Sequence, residues 1–277
     1  GTTAVPLYAD GAFRFSFPQK DGSKLSFWGI GGTSDLTIDV SGTDGDPFTE
    51  EFESYGSVDR DQYFDTHMAT VGATYSKRLS KMSYAKMGVA ASRANIHAIN
   101  NKVWRSIDST DANNLTYSVD RVEKILDYRY IEDKIHSYYN YTKKFDARRS
   151  LKVGVNVDYI MGSYHDSTRI VNGTDNTVYD WEMPWNSDDS YANIQPFLSY
   201  KHRLTDALTM TAGATAFHST INSNSTSLFE PRLGFNYDMD KNNKFFTGAG
   251  YHTQMQSSYL YYYEGSQALD DSTVLGT

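Results

Sequence analysis

Along most of this chain, apolar residues fall at every second position. The stretch LKVGVNVDYIM at 151–161 shows the pattern most cleanly. Leu151, Val153, Val155, Val157, Tyr159 and Met161 point one way. Lys152, Gly154, Asn156 and Asp158 point the other, and Ile160 alone breaks the alternation. Successive side chains of a strand face opposite sides, so this run predicts a strand with one oily face and one wet face. A helix would need apolar residues three and four apart. Ten such segments can be traced: 7–17, 24–38, 61–76, 83–97, 127–142, 150–163, 190–202, 206–221, 229–239 and 244–256. In the eighth, Leu208, Met210, Ala212, Ala214 and Ala216 oppose Thr209, Thr211, Gly213 and Thr215. Segments 24–38 and 127–142 are less regular. Pro196 is awkward inside 190–202, because proline cannot donate to a ladder.

The connections alternate in length. Short ones at 18–23, 77–82, 143–149, 203–205 and 240–243 take turns with longer ones at 39–60, 98–126, 164–189 and 222–228. Soluble sandwiches and propellers have no reason to keep one end short at every turn. Outer-membrane barrels do, with short periplasmic turns and longer extracellular loops. The aromatic residues agree. Phe17, Tyr75, Tyr141, Tyr200 and Tyr237 each stand just before a short turn, as in a girdle at a lipid–water boundary.

Composition fits the same reading. The 277 residues carry a net charge of −8, which argues against a nucleic-acid partner. Charge is also divided between the two ends. Stretch 39–61 carries eight acids against one arginine, whereas 143–149 carries four bases against one acid. There is no cysteine, so neither disulfides nor thiolate metal sites are available. Mean hydropathy is low at −0.57, yet 14% of residues are aromatic, which suits short alternating strands. No apolar run is long enough for a transmembrane helix, a fact that says nothing of a membrane-spanning barrel.

The hairpin FEPRLGFNYDMDKNNKFFTGAGYHTQMQ at 229–256 sharpens the expectation. Phe229, Leu233, Phe235 and Tyr237 would face lipid; Glu230, Arg232, Asn236 and Asp238 would face a wet interior. Followed strand by strand from the short turns, both ends of the chain come out on the extracellular side. A complete single-chain barrel normally has both in the periplasm. The expectation is therefore an internal slice, with residues 1–277 forming a partial outer-membrane barrel domain. Alone, its ten strands would not close into a stable barrel, since unpaired edges in lipid cost several kcal/mol per group.

EPRLG and GYHTQMQ within that hairpin, with LSFWGIGG at 25–32 and HMATVGATYSKRLS at 67–80, are similar to barrel strands of TonB-dependent outer-membrane receptors. The particular likeness is to receptors that carry a carboxypeptidase-regulatory-like domain ahead of the plug. It extends from about residue 7 to 260. The resemblance implies an all-β transmembrane barrel of about 22 antiparallel strands, of which this chain supplies about ten, around a plug. It implies import of a scarce nutrient such as a siderophore, glycan, peptide or metal chelate. It also implies as partners outer-membrane lipid, a plug in the same polypeptide, the TonB complex acting through that plug, and possible capping by a surface lipoprotein. The chain shows neither plug nor TonB box.

No catalytic, cofactor or metal constellation stands out, so no enzyme and no cofactor is expected. The seven histidines are scattered and none lies in H-E-x-x-H. The acidic run DGDPFTEE at 44–51 could gather calcium but lacks the spacing of a calcium loop. Asn114, Asn140, Asn172 and Asn224 begin sequons of the kind chance supplies in an Asn- and Thr-rich chain. Ligand-binding candidates are aromatic loop residues: Trp181 and Trp185 in YDWEMPWNSDD, and Tyr259, Tyr261, Tyr262 and Tyr263 in SSYLYYYE. Packing of loop on loop is the alternative reading of them. Glu230 and Arg232 are expected to face the plug. Two other classes stay open: an outer-membrane barrel protease or lipase, which needs an acid–histidine pair at the rim, and a soluble carbohydrate-binding β protein, which predicts connections of mixed length at both ends.

Overall fold

A computed structural model describes residues 4–42, 59–108 and 116–265. The acidic run 44–51 and Asn114 lie outside the described residues. Ten strands form one antiparallel sheet in sequence order. They are β1 (Ala4–Pro18), β2 (Lys24–Ile38), β3 (Arg60–Ser80), β4 (Ser83–Asp108), β5 (Thr116–Lys144), β6 (Arg149–Thr168), β7 (Glu182–Arg203), β8 (Leu208–Ser219), β9 (Ser227–Asp238) and β10 (Lys244–Gly250). Among the described residues β1 and β10 do not meet, so the sheet is open at both edges. No α-helix occurs among them; Ser258–Tyr262 form a single 3-10 turn.

Cross-strand partners share a face, so the register assigns every position to a side. Tyr139, Val155 and Pro196 form one apolar row, and Val153, Leu198, Ala214 another. Val71, Val89, Leu198 and Leu233 are all exposed, at 55%, 53%, 48% and 44%. Val153, Val155 and Leu208 are half-exposed, so none of these residues is packed inside a protein core. The apolar run on β6 from Leu151 to Met161 matches the roughly 9–11 residues a tilted strand needs to cross a bilayer. Beyond it the same face turns charged. Arg93 grips Asp133 with two parallel hydrogen bonds of 2.7 and 2.6 Å, and His97 pairs with Asp127 at 3.0 Å. The five girdle residues Phe17, Tyr75, Tyr141, Tyr200 and Tyr237 all fall on the apolar face beside the short turns.

The opposite face is the more polar one, although Ile30, Met68, Ile160 and Phe246 also fall on it. Its polar rows carry His136 with Asp158 and Asn193, Asn156 with Gln195, and Lys152 with Ser199 and Arg232.

Short connections at 19–23, 81–82, 145–148, 204–207 and 239–243 gather at one end, here the turn end. Each is built by a side chain that bonds the backbone just ahead of it. Asp21 accepts from Ser23 N at 3.0 Å, and Ser80 from Met82 N at 3.1 Å. Asp146 accepts from the amides of Arg148 and Arg149, both at 2.8 Å. Thr205 accepts from Leu208 N at 2.9 Å, and Asp240 from Asn242 N at 2.8 Å. Asp, Ser and Thr favour turns because their oxygens reach these amides. Gly22 completes the first turn at φ 78°, a left-handed value that favours glycine.

The structure corrects several boundaries. The expected long connection 98–126 is mostly strand, since β4 runs to Asp108 and β5 begins at Thr116. β6 and β7 likewise extend into 164–189. These extensions lie past the continuous apolar run, where apolar residues such as Val103, Val122, Ile125 and Tyr164 are interspersed with charged ones and period two no longer marks one oily side. Strand 244–256 ends early, at Gly250. Tyr251 N still donates to Pro231 O at 3.0 Å, but Pro231 has no N–H to return the bond, so the ladder stops there. Pro196 sits at a similar break, because β7 and β8 are unpaired between Ile194 and Phe197.

Candidate functional site

Toward the loop end, the polar face of β5, β6 and β7 carries aromatic rings rather than small polar groups. Tyr128 and Tyr130 on β5, Tyr164 on β6 and Trp185 on β7 share this face by register. Tyr130 meets Tyr164 edge-on at 5.6 Å and Trp185 at 6.2 Å. Tyr191 is buried beside them on the same face.

The segment after β10 folds back onto this patch. Tyr259 stacks on Tyr130 with ring centres 5.5 Å apart, and Tyr262 stacks on Tyr164 at 5.4 Å. Tyr263 packs against Trp185 at 4.8 Å. Polar bonds fix the arrangement. Trp185 Nε1 donates to the Tyr259 carbonyl at 2.9 Å, and Glu264 N to the Pro184 carbonyl at 2.9 Å. Glu132 accepts from Tyr164 at 2.5 Å and also from Ser258.

The electrostatics follow from burial. Tyr164 is 2% exposed, and burial pushes its phenol well above the ordinary range, with Glu132 adding to the shift. Burial also raises Tyr130, and raises Tyr262 to about 12. Burial disfavours the charged form, so all three stay neutral at physiological pH, and the carboxyl of Asp166 is raised for the same reason. The patch therefore offers stacked π faces, phenol donors and the Glu132 acceptor.

Of the candidates read from sequence, Trp185, Tyr259, Tyr262 and Tyr263 come together here. Tyr261 lies at the edge, where its hydroxyl accepts from Ser225 Oγ at 3.2 Å. Trp181 stands apart, half-exposed in the 169–181 connection, with the Arg169 guanidinium 4.2 Å above its ring. Sequence reading missed Tyr128, Tyr130, Glu132 and Tyr164. The signal was present: Tyr128 and Tyr130 alternate with Arg129 and Ile131, and aromatics on the polar face are what made 127–142 read as irregular.

Glu230 and Arg232 share the polar face of β9. Glu230 is 2% exposed and accepts from Thr253 N at 3.1 Å and Thr253 Oγ1 at 2.7 Å. The chain's own returning segment thus covers it. Arg232 lies 3.6 Å from Glu230 and is more than half exposed. Acid–histidine pairs, not evident in the sequence, do occur: His67–Asp65, His97–Asp127, His136–Asp158 and His165–Asp188. Among the described residues none of these rings bonds a serine or threonine hydroxyl, and His218, which bonds Thr226, has no carboxylate partner.

No protein-family profile matches the sequence, and no curated protein does. Solved structures match the fold. The chain is similar to FpvA of P. aeruginosa, solved with a pyoverdine–iron complex, at TM-score 0.58 and 13% identity, over 86% of this chain and 34% of that one. It is similar to the ferric-catecholate import receptor Fiu of E. coli K12, at TM-score 0.54 and 11% identity, over 88% and 43%. It is similar to the RagAB peptide importer, at TM-score 0.53 and 14% identity, over 89% and 32%. The chain spans about a third to two fifths of the length of these structures, and at such identities the likeness establishes the fold.

Proposed function

We propose that this sheet is part of the wall of an outer-membrane importer of the TonB-dependent kind, which takes up a scarce nutrient. The observation that carries the reading is the continuous apolar face, exposed or half-exposed on every strand and bounded by a girdle at the turn end and charges at the other. In water such a face would be an aggregation liability; against acyl chains it is the favourable side. The long connections then face the exterior and the short turns the periplasm. The polar face lines a lumen filled by a plug of the same polypeptide, through which the energy-coupling complex acts. Arg232 lies exposed on the wall that plug would touch, whereas Glu230, expected from the sequence to face it too, is already covered by the returning segment at Thr253.

Cargo is captured beside the aromatic patch of Tyr130 and Trp185 with Tyr259, Tyr261 and Tyr262; the buried Tyr164 supports the patch from beneath, and Trp181 stands apart as a separate contact. The cargo candidates are siderophore, glycan, peptide and metal chelate, and one similar structure is a peptide importer. The cargo class is read by mass spectrometry of small molecules that copurify with the full-length protein from outer-membrane fractions. The same molecule should accumulate in cells that carry the gene, and a protonophore should abolish accumulation. Uptake insensitive to the protonophore and to deletion of the gene overturns the reading.

A further inference from the structure

The polar face is segregated by charge. In the half nearest the turn end the register places Lys24, Arg78, Lys86, Lys144, Lys152 and Lys201 on this side of the sheet. All six side chains are exposed. None has a carboxylate partner among the described residues. Lys86 and Lys152 lie over the rings of Tyr138 and Phe197 instead, at 5.6 and 5.3 Å.

The carboxylates that could have served are engaged elsewhere. Glu230 is buried against Thr253, and Asp238 pairs with Lys244 at 3.3 Å. In the turns, Asp21 is held by Lys77, Asp146 by Arg149 and Asp206 by Arg148. Nearer the loop end the same face is acidic in balance, with Asp10, Glu132, Asp158, Asp166 and Asp189 against Lys134, which pairs with Asp158 at 3.6 Å. Beside the cations, Gly213, Gly234, Gly248 and Gly250 leave a groove of about 700 Å³ across β7 to β10, with Arg232 on its wall.

We propose that this basic half-face docks a folded protein segment whose opposing surface is rich in aspartate and glutamate. The inference rests on the reading of a plugged lumen and adds the chemistry of the plug's facing surface. Six cations in water are screened over about 8–10 Å. Enclosed by a second protein surface they lose that screening, and each then needs an anionic partner or retained water. The loop half of the wall would repel an acidic segment, so the charge division also fixes which end of the lumen it occupies.

The test uses the full-length protein in outer-membrane preparations. A zero-length carbodiimide joins lysine to a carboxylate in direct contact, and a photo-reactive residue at Ser199 reports any polypeptide against the same wall. The expected result is that Lys86, Lys152 or Lys201 links to Asp or Glu outside the 277 residues. These links should disappear in Lys86→Gln, Lys152→Gln and Lys201→Gln while the Ser199 photo-product persists. A Ser199 photo-product without carbodiimide links to that segment overturns the acidic surface and leaves the plugged lumen standing. Absence of both products overturns both.

Discussion

At the scale of single residues, the wall is shaped by where polar atoms find partners. Glu230 was legible as a polar-face residue because it alternates with Phe229 and Pro231. Its actual partner was not legible, because the pairing to Thr253 depends on β10 stopping at Gly250, where Pro231 ends the ladder, and on a segment that turns back. Replacing Glu230 with alanine leaves Thr253 N and Oγ1 without their acceptor. Bonds to a charged group contribute roughly 1.5–3 kcal/mol each, so the returning segment should loosen. Hydrogen exchange at the Thr253 amide is expected to accelerate at least tenfold in Glu230→Ala, and far less in Glu230→Gln, which keeps an acceptor. Equal exchange in wild type and Glu230→Ala would contradict this assignment. Trp181 and Trp185 make the complementary point. Four residues apart in one loop motif, they read alike, yet one stacks in the patch and the other lies under Arg169, because only Trp185 falls within β7.

At the scale of elements, alternation revealed all ten strands and the direction of each face. Their heights were hidden. Past Met161 and Ala91 apolar and charged residues mix, so period two no longer separates oil from water, and the tall ends of β4 to β7 passed for loops. Where oil and water do differ, substitution should follow the period. Val155→Arg puts a charge on the apolar face at mid-height and should cost about 2–4 kcal/mol in urea unfolding from lipid vesicles. Asn156→Arg, one residue on and facing the other way, should cost well under half of that. The 3-10 turn makes a pH prediction. Tyr164, Tyr130 and Tyr262 have folded-state pKa values above the unfolded value of about 10. Raised values in an acid mean that the folded state holds its protons longer. Stability from these contacts is therefore complete below pH of about 10 and falls as pH climbs toward about 12, where Tyr262 ionises. Ultraviolet tyrosinate absorbance, followed together with Trp185 fluorescence, should show the turn leaving the patch in that window. A turn that stays docked beyond it contradicts the assigned burial.

At the scale of the whole molecule, the sheet is a curtain with two free edges. Backbone groups along β1 and β10 would meet hydrocarbon unpaired, at several kcal/mol each. The 277-residue chain refolded by itself in detergent is accordingly expected to show no heat-modifiable compact band on a gel. A sharp compact band that shifts on boiling would mean that the ten strands close by themselves. The deeper claim is that one face of the curtain touches acyl chains and the other a hydrated lumen. Spin labels placed singly at each position from 151 to 161, in the full-length protein reconstituted in lipid, test it directly. Collisions with oxygen should peak at 153, 155, 157 and 159, and collisions with a water-soluble nickel complex at 152, 154, 156 and 158. Labels at the odd positions that are shielded from oxygen, or a profile without period two, would contradict the account.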